Sequence, residues 1–141
     1  MRFNILRVLW DYRFKILEGI WDSIYVLFLS IILANYWVGF FLERISSLPL
    51  MPGLTYIMAG ICGVFAFLYF KNVKKAFFAT LAFSILGCAL SGLCLYTPAL
   101  LGIVEEETTL YLSIRATVEI FFLVFPMAIA GCMVTAYIFP D

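Results

Sequence analysis

Four cysteines, a glutamate–arginine pair and one amide inside an apolar run are the side chains that the sequence pattern singles out for chemistry. The cysteines, Cys62, Cys88, Cys94 and Cys132, form no C-x-x-C pair, so the usual dithiol redox spacing is missing. In apolar surroundings a thiol behaves as a small hydrophobe, and packing is the role these four are expected to take. A soft Cu(I) site built from them with Met58 or Met127 is the one metal chemistry the ligand types allow, and it is a minor alternative. Histidine is absent from all 141 residues. That removes bis-histidine haem, the common zinc sites, imidazole-based triads and a histidine proton relay. No glycine-rich phosphate loop is present, which excludes nucleotide hydrolysis by the usual route. The expectation is a protein that is not an enzyme and needs neither cofactor nor metal.

Polar groups within long apolar runs remain the best pointers to function. Asn35 is the clearest: it is far from any charged neighbour and is expected to need a hydrogen-bond partner on another helix or subunit. Arg115 and Glu119 are one helical turn apart and can pair locally. Should Glu119 instead sit deeper, it becomes a candidate ion or proton carboxylate. Ser84 and Ser91 complete the set of candidate intramembrane polar sites, as hydroxyls that either pack helices together or line a polar groove.

The elements that must position these residues follow from where charge is allowed. Hydrophobic residues make up 65% of the chain and charged ones 13%, against roughly 45–50% and about 25% in soluble domains. The nine basic and nine acidic residues fall in patches at 2–22, 43–44, 71–75, 105–119 and Asp141, leaving four uncharged apolar stretches. Since a crossing takes about 20 apolar residues, the expected architecture is all-α: an integral membrane bundle of four transmembrane helices forming a single domain over 1–141. The spans are placed at about 23–42, 54–70, 76–96 and 119–139. The third is stopped ahead of Pro98, which disfavours helix just upstream of it, and Leu110 to Val118 is read as an interfacial turn or helix. Thr97 to Ala116 then forms the longest connection, and its run Glu105-Glu106-Glu107 reads as a solvated acidic loop.

Residues 1–22 are expected to form an amphipathic interfacial helix ahead of the first span. Arg7, Asp11, Lys15, Glu18 and Asp22 recur at four- and three-residue intervals, forming a narrow polar stripe. With both termini cytoplasmic, the inner side carries Arg2, Arg7, Arg13, Lys15, Lys71, Lys74 and Lys75, and the outer side Arg44 and Arg115. That asymmetry follows the positive-inside rule and points to a multi-pass protein of the plasma (bacterial inner) membrane. Net charge is zero with no basic stripe, so nucleic acid is not an expected partner.

Small residues that let helices approach form seams along every span. The third has Thr80, Ser84, Gly87, Ser91 and Cys94, the second Thr55, Ala59, Gly63 and Ala66, and the fourth Ala128, Gly131 and Thr135, with Thr117 above them. The first has Ser23, Ser30 and Ala34. These seams predict a compact bundle whose neighbours are consecutive. Residues 59–67 also faintly echo 130–137, which would suit a duplicated two-helix hairpin. The function expected from these features is a non-catalytic subunit or assembly component of a membrane complex, with the lipid bilayer and other membrane subunits or further copies of itself as partners. The alternative is a small oligomeric ion or solute transporter or channel using Glu119 and Asn35.

Overall fold

The computed structural model describes the backbone over residues 2–46 and 52–140, and side chains over residues 16–41 and 54–140. Among the described residues there are four helices and no strand: α1 (Arg2–Ser46), α2 (Pro52–Phe70), α3 (Val73–Leu100) and α4 (Glu106–Ile138). Three stretches, Ile16–Phe41 of α1 and the whole of α3 and α4, are long and apolar enough to cross a membrane. The apolar part of α2, Leu54–Phe70, is shorter. The backbone of α1 is helical without interruption through Asp22 and Ser23, so no loop separates residues 2–22 from 23–42. Of the stripe expected on residues 1–22, Arg7, Asp11 and Lys15 have side chains outside the described residues; Glu18 and Asp22 are placed.

The helix ends explain where the sequence boundaries shift. After α2, Lys71 adopts a left-handed conformation (φ 46°) and donates its N–H to the Phe67 carbonyl at 2.8 Å. This single bond closes the helix in the manner of an αL cap. Asn72 follows at once as the N-cap of α3, its Oδ1 accepting from the N–H groups of Lys74 at 3.0 Å and Lys75 at 3.2 Å. Two residues thus reverse the chain, each satisfying backbone groups that a helix end leaves open.

The expected stop of α3 at Tyr96 is corrected, because the helix runs through Pro98 to Leu100. Proline removes one donor, but its own carbonyl still accepts, and here it accepts from Ile103 N–H at 3.0 Å. Gly102 (φ 70°) donates to Ala99 O at 2.9 Å, so a Schellman-type pair of bonds around a left-handed glycine ends the helix. The acidic run is likewise no loop. Glu105 is the N-cap of α4, with Glu106 and Glu107 in its first turn, where their charge is favoured by the exposed N–H groups and dipole of the helix. The long connection expected over Thr97–Ala116 shrinks to residues 101–105.

Helices α1 and α3 run parallel, and α2 and α4 run parallel to each other in the opposite direction. The most extensive contacts are α2 on α4, α3 on α4 and α1 on α3, with α2 on α3 and α1 on α2 less extensive. A bundle of consecutive neighbours is therefore corrected: α2 takes as its main partner the helix two positions on. The cause is glycine. A Cβ built on Gly63 would collide with the Ala128 carbonyl, and one on Gly131 with the Gly60 carbonyl. Only bare backbone permits that approach. Around the crossing, Leu29, Leu33 and Trp37 of α1 meet Ala59, Cys62 and Ala66 of α2, Phe83 and Cys88 of α3, and Ile120, Val124 and Ala128 of α4 in one buried cluster.

This contact makes a quantitative prediction. Gly63→Ala forces a methyl into the backbone of α4 and is expected to destabilise the bundle by about 1–3 kcal/mol, the usual range for overpacking. Gly19→Ala, where the added Cβ meets nothing within 4 Å, is expected to be neutral or to stabilise by up to about 1 kcal/mol through helix propensity. Thermal melts of helical circular dichroism in detergent compare the two; equal tolerance would contradict the close crossing.

Candidate functional site

The sequence candidates fall in three separate places, and the structure adds a fourth. The first is the interior. Thr80, Ser84 and Ser91 of α3 have no exposed surface, and Gly87 lies among them. A Cβ on Gly87 would sit 3.0 Å from Leu33 Cδ2 and 3.3 Å from the Ser30 carbonyl, so this glycine sets the approach of α1. Further along, the missing side chain of Gly92 makes room for the Thr117 hydroxyl of α4. Several seam hydroxyls turn back onto their own helix: Ser91 Oγ donates to Gly87 O at 2.8 Å, Ser30 Oγ to Val26 O at 2.7 Å, Thr117 Oγ1 to Ser113 O at 2.7 Å and Thr135 Oγ1 to Gly131 O at 2.8 Å. Such back-bonding hides the polar atom and leaves a small, smooth surface for the neighbouring helix.

Thr80 Oγ1, Ser84 Oγ and Trp37 Nε1 are buried without a hydrogen-bond partner. The polar group that bears on Thr80 is the Cys132 thiol, a weak partner at best. Trp37 is held instead through its ring, edge-on to Phe40 at 5.4 Å and to Tyr56 at 5.7 Å.

The second place is the surface of α4. Arg115 Nε donates to Glu119 Oε1 at 2.9 Å, with 63% and 47% of the two side chains exposed. Glu119 is thus on the outside of the bundle, already paired one turn from its partner. Nearby in the chain, Tyr96 Oη donates to Glu106 Oε1 at 3.0 Å, tying α3 to the first turn of α4.

The third place is Asn35, exposed on α1 beside a shallow groove of about 270 Å³ lined by Ile31, Ala34, Val38, Leu90 and Cys94. No other described residue forms a hydrogen bond with its amide. The partner expected for it on another helix of the chain is therefore not found among the described residues.

The fourth place was not singled out by sequence reasoning. Glu18 and Asp22 of α1, Tyr69 and Phe70 at the end of α2, and Lys75 of α3 line a groove of about 470 Å³ with Leu17 and Trp21. The Tyr69 hydroxyl faces the Asp22 carboxylate, and the Tyr69 ring stacks on Tyr25 with centroids 4.0 Å apart. A second groove of about 570 Å³ shares Asp22, Phe70 and Lys75 and continues along apolar Val26, Phe78, Ala82 and Leu86. Charged at one end and apolar along its length, this pair of grooves is chemically suited to an amphiphile. The signal was present in two pieces: the Glu18–Asp22 spacing, and the lysines after Lys71. Joining them requires knowing that the Asn72 cap brings Lys75 back beside α1.

Among the described residues, no group of three or more metal-ligating His, Cys, Asp or Glu side chains comes together. Cys62, Cys88 and Cys132 are buried and Cys94 is exposed, all as free thiols. Compared with family models, with curated proteins and with solved structures, the chain matches none.

The two readings of the α3 hydroxyls separate on one substitution. If Ser84 only packs helices, Ser84→Ala removes a buried hydroxyl without a partner and leaves stability unchanged or raised by up to about 1–3 kcal/mol, the cost of such a group. A hydroxyl that contacts a substrate path would instead show normal stability with lost transport. Thermal stability in detergent and flux in proteoliposomes, measured on the same preparation, read both.

Proposed function

We propose that this chain is a four-span membrane protein acting as a non-catalytic component of a membrane assembly. Helix α2 makes the second crossing in this reading: 19 residues rise about 28 Å, close to the roughly 30 Å of hydrocarbon. Its contact with α4, from Gly60 against Met127 to Phe67 against Cys132, supports it as a full-length member of the bundle. An even number of crossings leaves both termini on one side, and the lysine distribution makes that side cytoplasmic, in the plasma or bacterial inner membrane.

The observation that carries the assembly role is how the polar interior is used. Thr80, Ser84 and Ser91 have no exposed surface and sit in helix–helix contacts, while the grooves described above open on the outside of the bundle, between α1 and its neighbours. Large apolar side chains are spread over the outer faces, among them Ile24, Phe28 and Ile31 of α1 and Phe122, Met133 and Val134 of α4. Such faces need either lipid or another apolar helix against them. Transport through Glu119 would need that carboxylate to leave Arg115 and reach a lumen.

Two measurements test this proposal. Thiol labelling of single-cysteine variants in sealed vesicles is expected to find the 71–75 turn and the 105–107 segment on opposite faces; labelling of both from one side overturns the four-span topology. Proteoliposomes holding the chain alone are expected to pass ions and solutes no faster than protein-free vesicles. Flux that Glu119→Gln abolishes would replace the assembly role with the transporter.

A further inference from the structure

Asn35 is a polar side chain on the wrong side of its helix for the bundle. Its neighbours in sequence, Leu33, Ala34 and Trp37, are all buried, whereas Asn35 points outward from the proposed first span. A primary amide has two donors and two acceptor lone pairs. In hydrocarbon, where no water substitutes, leaving these unpaired is costly.

The face around it is built for a helix. Ile24, Phe28, Ile31, Asn35 and Val38 succeed one another at spacings of four, three, four and three, the a/d repeat of a two-helix seam. Ile24, Phe28 and Ile31 are about half exposed, at 49%, 58% and 53%. One turn beyond Asn35, a Cβ built on Gly39 meets nothing within 4 Å. Gly60, Gly63, Gly87, Gly92 and Gly131 each have a neighbouring helix within that distance. Of the helical glycines among residues whose side chains are described, Gly19 and Gly39 are left open, and Gly39 lies one turn from the orphan amide.

We infer that α1 pairs with α1 of a second copy of this chain, as a parallel two-fold dimer in which the two Asn35 amides hydrogen-bond to each other beside the Gly39 pair. The occupant follows from three features. An amide is complementary to itself, one molecule's N–H meeting the other's C=O. Copies inserted in one membrane share one orientation, so a two-fold axis along the membrane normal brings the same face of α1 onto itself with parallel strands. A single Asn at an a position within an otherwise apolar seam fixes register and favours two strands. The dimer rests on the assembly role proposed above and names its partner.

Self-association is measured by Förster transfer between labelled copies in lipid bicelles across a range of protein-to-lipid ratios, with mass determination of the detergent complex. Wild type is expected to form a species of twice the protomer mass. Asn35→Leu is expected to weaken dimerisation about 3- to 30-fold, the equivalent of the roughly 0.6–2 kcal/mol of an interhelical polar contact in a membrane. Gly39→Leu, which fills the open face, is expected to weaken it too, while Asn35→Gln, which keeps the amide, retains most of it. Helical melts of the monomeric variants should match wild type, since neither position touches the bundle interior. A wild type that stays monomeric at all ratios, or an Asn35→Leu chain that dimerises as well as wild type, overturns the dimer. A stable complex in which a different membrane subunit covers the Asn35 face also overturns it, but leaves the assembly role standing. Glu119-dependent flux from monomers removes the assembly role itself.

Discussion

Where the backbones of α2 and α4 touch, both helices present little or no side chain, and the rest of the bundle is arranged around that contact. Gly63 lies against the Ala128 carbonyl and Gly131 against the Gly60 carbonyl. Apolar surface by itself does little to join helices in lipid, because acyl chains are as apolar as leucine. Close van der Waals packing has to supply the specificity, and it grows with the number of atoms brought within range. Two glycines on one helix facing one glycine and one alanine on the other let the two backbones approach directly. Once α2 and α4 are joined in parallel, α3 must run antiparallel beside both, and its glycines at 87 and 92 place it between Leu33 of α1 and Thr117 of α4.

The same contact accounts for the faint likeness between residues 59–67 and 130–137. Those two stretches face each other in parallel. Each must present small residues at helical spacing so that the other can come close, so a shared pattern is what the interface requires of both partners. The likeness reads first as two sides of one seam, and duplication is not needed to produce it.

Much of this was legible in the sequence, and what was not has identifiable causes. Charge-free lengths were enough to locate four helices; in the structure Gly63, Gly87 and Gly131 approach neighbouring helices and Ala59 and Thr80 are buried. Pairing was harder to read, because every helix carries small residues on more than one face and a one-dimensional pattern does not rank them. Pro98 does not stop the helix, which is closed four residues later at left-handed Gly102, where the Gly102 and Ile103 N–H groups bond to the Ala99 and Pro98 carbonyls. The triple glutamate was read as loop, since acidic residues suggest solvent; the helix N-terminus supplied a second reason for negative charge at that position. Asn72 stands between Lys71 and Lys74, whose charge points to topology and anionic headgroups rather than to a helix cap.

Asn35 shows the limit of sequence reasoning most clearly. That an amide in an apolar run needs a partner follows from composition alone. Which way the amide faces depends on the angle at which Trp37, Leu33 and Leu29 enter the core, and that angle is set by Gly87, more than fifty residues away. A turn of α1 by one residue's rotation, about 100°, would bury Asn35 and expose a core side chain in its place. The packing seam thus decides whether this chain satisfies its one mid-span amide internally or presents it outward. Because the inner face of α1 is occupied by Leu29, Ser30, Leu33, Ala34 and Trp37, the amide is left on the outer face of the bundle.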